Sequence, residues 1–199
     1  MSEIPIQTED KVRLFQLHLL SFMRVTALTL NRALHQLNST EAELESIKRS
    51  MKGRGYEAIG GPDGNFYREM LGQPLNTEPI DNNTVPEVFR DSKALRYKLP
   101  LWPDFDLVVN LHPEGGTFDP SFRRSKNVPV PQLISFSDLE PWKFVKEEID
   151  ARFGFPHIGD AWDYWQELDY MIPKSPEEAS QKCVVIFDFN LLQLAKAEE

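Results

Sequence analysis

One cysteine, Cys183, stands among 199 residues. No intramolecular disulfide can form from it. With four scattered histidines (His18, His35, His112 and His157) no Cys/His zinc pattern can be assembled either. Cys183 opens the apolar run Cys183-Val-Val-Ile-Phe187 with only Lys182 as a neighbouring cation, which predicts a buried, inert thiol. Bases are also scarce: 22 Lys+Arg face 31 Asp+Glu, for a formal net charge of −9 and a pI near 5.0. A general nucleic-acid binder needs a net basic face to displace phosphate counterions, so that class is set aside. Long uncharged runs are missing as well. Arg13, Arg24 and Arg32 cut the N-terminal apolar region far below the roughly 18 residues of a membrane span, and Glu3, Glu9 and Asp10 stand where a signal peptide carries bases. The reading is a cytoplasmic protein with no membrane partner. No nucleophile elbow, phosphate-binding loop or dinucleotide glycine fingerprint is present, which weighs against the common enzyme classes, leaves rarer ones open and gives no cofactor to expect.

Glycine and proline are unevenly missing. Residues 1–52 hold no glycine and one proline, Pro5, while all ten glycines and the other fourteen prolines follow. Aromatics divide at the same place, with only Phe15 and Phe22 before Gly53. Charge divides too: residues 1–55 carry eight bases and six acids, residues 56–199 fourteen bases and twenty-five acids. The fold class expected is α+β. A long N-terminal helix or helical hairpin, residues 1–55, precedes a mixed domain, residues 56–199, with a small, mainly antiparallel sheet; the two parts can pack as one unit.

Asp10 is placed to cap a helix running to about Leu37, about 40 Å long at ~1.5 Å per residue. Leu20, Met23, Ala27, Leu30, Leu34 and Leu37 form one stripe along it, and Val12, Phe15, Leu19 and Phe22 a second. A helix so apolar must be covered on several sides. The heptad-like stripe of residues 20–37 is therefore also a candidate homodimer seam. Asn38-Ser-Thr40 breaks the pattern, and Thr40 with Glu43 has the spacing of a capping box for a second helix ending at Gly53 or Gly55. A hairpin turning at 38–40 is favoured over one kinked helix.

Beyond Gly60 the turn formers Gly60-Gly-Pro-Asp-Gly64 and Asn82-Asn83 predict an irregular connection with a short helix near Phe66–Leu71. Lys93–Leu99, Asp106–His112 and Val130–Phe136 read as strands, and Val184–Phe189 as a central one. Ser137-Asp-Leu-Glu140 predicts a helix that buries Phe144, Val145, Ile149 and Phe153 and stops at Gly154. Asp160 is placed to cap another helix through about Tyr170, and Ser175-Pro-Glu-Glu178 a short one.

Two sites of different chemistry follow. On a helix, Asp160, Asp163 and Glu167 share a face, with Trp162 and Trp165 beside it. Tryptophan anchors protein interfaces and carboxylates steer basic partners, so this stretch is the candidate binding surface of an acidic inhibitor or immunity-type module. The competing reading buries the tryptophans in the core and leaves the acids as a solvated face. The alternative function is an enzyme or effector toxin, a hydrolase or transferase. His112 at a strand end would be its base, with Glu114 or Asp119 orienting it beside Gly115-Gly116. His112 and His157 could meet Asp104 or Asp106 around a metal, but no spacing requires it, and no metal is assigned. The basic cluster Ser121-Phe-Arg-Arg-Ser-Lys126 reads as a solvated loop, and Lys48-Arg49 with Lys52 and Arg54 as cations suited to a helix C-terminus.

Overall fold

The computed structural model describes residues 8–51, 64–80, 91–157, 159–162, 164–175 and 177–198. The stop at Gly53 or Gly55, the cations Lys52 and Arg54, the turn-forming runs around Gly60–Asp63 and Asn82-Asn83, and Asp163 lie outside them.

The predicted long helix is two. Helix α1 spans Thr8–Phe22 and α2 spans Ala27–Gln36. Thr26 ends the break: its backbone is extended and its Oγ1 accepts the Thr29 amide at 3.2 Å, an N-cap in mid-stripe. The freed Arg24 amide donates to the Asp188 carboxylate, 164 residues away, at 2.6 Å. A tertiary partner therefore takes the hydrogen bond that helical periodicity would have kept inside the helix. Asn38, at φ +47°, turns the chain into α3, Glu41–Met51, which packs back on α1. The cap at Thr40 forms, with the Glu43 amide donating at 3.2 Å. The Glu43 carboxylate instead accepts from Ser39 Oγ at 2.7 Å and from the Arg13 guanidinium at 3.0 and 3.2 Å. Helix α4, Gly64–Leu71, lies on α1 near the short helix expected there.

The chain is α+β, with two four-stranded antiparallel sheets where one small sheet was expected. The first is the meander β1 (Asn76–Pro79), β2 (Lys93–Lys98), β3 (Phe105–Leu111) and β4 (Thr117–Arg124). The second is the meander β5 (Gly159–Trp162), β6 (Trp165–Pro173), β7 (Ser180–Asp188) and β8 (Leu191–Ala197). Between them come a 3-10 turn, Phe136–Asp138, and α5, Lys146–Phe153. Strand β2 falls where alternation placed it, β3 at the second strand candidate one residue early, and β7 is internal. Besides the long helix, four expectations fail. Ser175, Glu177 and Glu178 lie in a turn closed by the Glu178 amide on Ser175 O at 3.2 Å and not in a helix. Val130–Phe136 is not a strand. The helix expected from Ser137 begins only at Lys146, because Asp138 closes the tight turn by accepting the Ile134 and Ser135 amides at 2.8 and 2.9 Å. The helix expected over 160–170 is a β-hairpin. Phe144, Val145 and Ile149 are buried as expected, and Gly154, at φ +86°, ends α5.

The α1–α4 helices cover one face of the first sheet. Leu17, Leu20, Leu34 and Leu44 meet Leu95, Tyr97, Leu107, Val109 and Phe122 in one cluster. Most of the stripe from Leu20 to Leu37 is spent in this core. A second cluster joins Phe144 and Ile149 to Leu168, Tyr170, Ile172, Val185 and Phe187. Cys183 is in it, fully buried, and burial pushes its thiol up. The sheets meet at the β7–β8 turn. Phe189 and Asn190 both take left-handed backbone, at φ +51° and +68°, the pattern of a two-residue hairpin turn. A phenylalanine there is strained, and three bonds hold it. The Phe189 amide donates to Tyr164 O, Phe189 O accepts the Phe122 amide at 2.7 Å, and Asn190 Nδ2 donates to Phe122 O at 3.1 Å.

Candidate functional site

The acidic-aromatic stretch forms the β5–β6 hairpin at an edge of the second sheet. Register sets Asp160 opposite Glu167 and Trp162 opposite Trp165. Gly159 is required where β5 begins: a Cβ there would stand 2.4 Å from the Glu167 carbonyl oxygen. Asp160 and Glu167 are exposed, and Asp160 makes no ion pair among the described residues. Like charges directly across two strands repel by some tenths of a kcal/mol, up to ~1. Phe155, 84% exposed, lies in the turn leading to β5; that turn is tied to β6 by the His157 amide, which donates to Asp169 O at 2.9 Å.

One cation among the described residues serves the tip half of this hairpin, while Lys182 pairs with Asp169 further along β6 at 2.9 Å. Arg24, from the break between α1 and α2, lays its guanidinium 4.2 Å from the Trp165 ring centroid, a cation–π geometry. Its Nη1 is 3.5 Å from Glu167 Oε2 and its Nε 3.4 Å from Asp188 Oδ1. Trp165 pairs with Asp188 across β6 and β7, so Arg24 spans one face of the second sheet. Asp188 is completely buried. Burial pushes its carboxyl above the usual range; the Arg24 amide and charge oppose this without cancelling it. Tyr164, at the hairpin's tip, stacks on Phe189 at 5.4 Å and meets Phe22 edge-on at 5.5 Å. The hairpin is thereby fixed to the helical layer at two points. The sequence reading missed Arg24 and Asp188 as parts of this site. The signals were a lone arginine inside an apolar run and an aspartate closing an apolar strand.

The structure brings Asp160, Trp165 and Glu167 together through strand pairing rather than helical spacing. Trp162 shares the register. The other candidate lies on the first sheet. His112 follows β3 and closes the β3–β4 loop: its amide donates to Gly116 O at 2.7 Å, its carbonyl accepts from Gly115 at 2.8 Å, and its Nδ1 accepts the Glu114 amide at 3.2 Å. Glu114 thus meets His112 through its backbone. With Nδ1 accepting, the neutral ring carries its proton on Nε2. Asp119 belongs to β4. Among the described residues no group of three or more His, Cys, Asp or Glu is placed to hold a metal ion.

The basic cluster is a strand and not a solvated loop. Ser121–Arg124 belong to β4, and both arginines turn to the acidic first turn of α5. Arg123 reaches Glu147 at 3.2 Å, and Arg124 clamps Glu148 with Nε and Nη2 at 2.5 and 3.0 Å. These acids neutralise its two arginines.

No family model matches this chain, and no curated protein matches it. A solved structure similar to it is described as a "putative beta-lactamase inhibitor protein" from Streptococcus mutans; it is 12% identical over 70% of this chain and 84% of that one, with a TM-score of 0.28. Among the described residues no helix is long and apolar enough to cross a membrane.

Proposed function

We propose that this chain is a protein-binding module of the inhibitor or immunity type, which uses the β5–β6 hairpin to take a basic protein partner. The observation that carries the reading is Asp160 opposite Glu167, two exposed carboxylates in register at an open sheet edge, of which only Glu167 has an ion-pair partner among the described residues, Arg24. Residues 137–199 hold fourteen acids and six bases, so the surrounding field has the same sign. Trp162, Trp165 and Asp163 complete the proposed surface, and exposed Phe155 supplies an apolar anchor beside it. Such a face speeds encounter with a basic partner and has no use for nucleic acid.

The test is the on-rate of a partner captured on the immobilised chain. Asp160→Asn with Asp163→Asn and Glu167→Gln should slow association of the wild-type partner by roughly 10-fold at low salt and flatten its salt dependence. An unchanged on-rate and salt slope would rule out this surface.

A further inference from the structure

The two faces of the second sheet carry different loads. The inner face gives Leu168, Tyr170, Val185 and Phe187 to the cluster that includes Ile149 of α5. On the outer face, register sets Ile186 between Glu167 and Leu194, and Val184 between Asp169 and Lys196 in the next row. Met171, opposite Lys182, follows in the row after that. Met171, Val184, Ile186 and Leu194 belong to neither core cluster among the described residues. Met171 is 41% exposed, Val184 and Leu194 are half-buried, and Ile186 is buried at the centre. An antiparallel sheet with one solvated face alternates apolar inside with polar outside. Strands β7 and β8 break that alternation side by side, at Val184, Ile186 and Leu194.

The charges around this apolar centre are sorted by strand. Glu167 and Asp169 flank it on β6, and Lys196 stands across it on β8. Lys196 is exposed and makes no ion pair among the described residues. Lys182, by contrast, is held between Asp169 and Glu198 at 2.9 and 2.8 Å. An isologous contact needs a surface that is complementary to itself. A twofold axis along β7 exchanges the β6 and β8 sides and meets that need. It sets Val184 and Ile186 against their own copies and brings Lys196 of each copy over Asp169 of the other. Lys182 meets its copy already neutralised. An axis laid across the strands would instead set β6 on β6 and acid on acid.

We infer that this face is an interface between two copies of the chain, packed sheet on sheet about a twofold axis along β7. Three strands at ~4.8 Å and five residues of each at ~3.4 Å, widened by their side chains, give a footprint of about 400 Å² a side. Two such footprints fall just short of the about 1,000 Å² total of a stable interface, so the dimer is transient, with a Kd on the order of 100 µM. Asp160 and the open edge of β5 lie outside the footprint.

Sedimentation equilibrium of the full chain tests the interface at ~0.15 M salt, where charges more than about 8 Å apart are screened and contacting pairs are not. Between ~10 µM and ~1 mM the mean mass should climb from one chain toward two. Lys196→Glu, an exposed change on β8, sets acid against Asp169 and should weaken the dimer roughly 10-fold or more. Val184→Glu puts a charge on the axis and should keep the chain monomeric, its urea midpoint recording that it still folds. Should that variant not fold, Lys196→Glu alone decides. A wild type still monomeric at ~1 mM overturns the proposal. So does a dimer that Lys196→Glu leaves intact, since its seam then lies elsewhere.

Discussion

Two arginine–carboxylate pairs join distant parts of this chain, and they are built oppositely. Arg124 and Glu148 are 8% and 12% exposed, and their groups are satisfied several times over. The guanidinium donates twice to the carboxylate and once to Lys143 O at 2.5 Å, and lies 4.7 Å from the Phe105 ring centroid. Glu148 Oε2 also accepts the Val145 amide at 3.1 Å, closing the first turn of α5. At Arg24 and Asp188 the short bond comes from the backbone. Among the described residues Asp188 Oδ1 and Arg24 Nε and Nη2 make no hydrogen bond, and the arginine head turns to Trp165 and Glu167. The first pair is a structural fastener. The second spends its carboxylate on holding a helix break and leaves its cation available to a surface.

That difference predicts which pair is dearer to break. Arg124→Ala should cost about 3–5 kcal/mol, because it strands a carboxylate that neither water nor a second cation can reach well. Urea unfolding of this variant and of Asp188→Ala, side by side, measures the contrast. If Asp188→Ala is the more damaging, the division into fastener and presenter is wrong.

Asp188→Ala should cost about 2–3 kcal/mol, the loss of one charge-assisted bond from a covered amide, since Arg24 keeps Glu167 and water. Asp188→Asn retains an acceptor and should cost less. pH separates the two variants from the wild type. The Asp188 carboxyl is raised in the folded state, so as pH climbs from the unfolded carboxylate range through the raised value the unfolded chain ionises first. The wild type therefore loses stability relative to Asp188→Asn as pH rises through that window. A gap that stays flat with pH would mean that burial does not penalise this carboxylate.

The sequence displayed the parts of this arrangement more readily than their connections. The helical N-terminus, the turn at Asn38, strands β2, β3 and β7 and the arrest of α5 at Gly154 all follow from local pattern. Strand β4 did not, because Pro120 and two arginines interrupt its alternation; an edge strand tolerates both, and α5 supplies the counter-charges. The break at Arg24 was hidden because its cause, Asp188, lies 164 residues on. The hairpin was misread because Asp160, Asp163 and Glu167 fit a helical face. Period two was present further along, where Leu168, Tyr170 and Ile172 alternate with Glu167, Asp169 and Met171 and are all buried. Acidic and aromatic residues marked the candidate surface, whereas Arg24 became visible only with Trp165 beneath it.

The finest contrast concerns what Arg24 does beyond its charge. Arg24→Lys keeps the cation, and the backbone bond to Asp188 does not depend on the side chain. It removes the planar head from the Trp165 ring, a loss of about 0.5–1 kcal/mol at a partly exposed site. The same exchange at position 124 breaks a two-pronged clamp and a ring contact together, so Arg124→Lys should cost clearly more. Urea midpoints of the two lysine variants, with the Trp165 indole signal as a local reporter, make the comparison. Equal losses would show that Arg24 is as fully committed to the fold as Arg124. A small loss, with the Trp165 signal displaced, would show a head held near the hairpin by an aromatic face and free to exchange Glu167 for an incoming group.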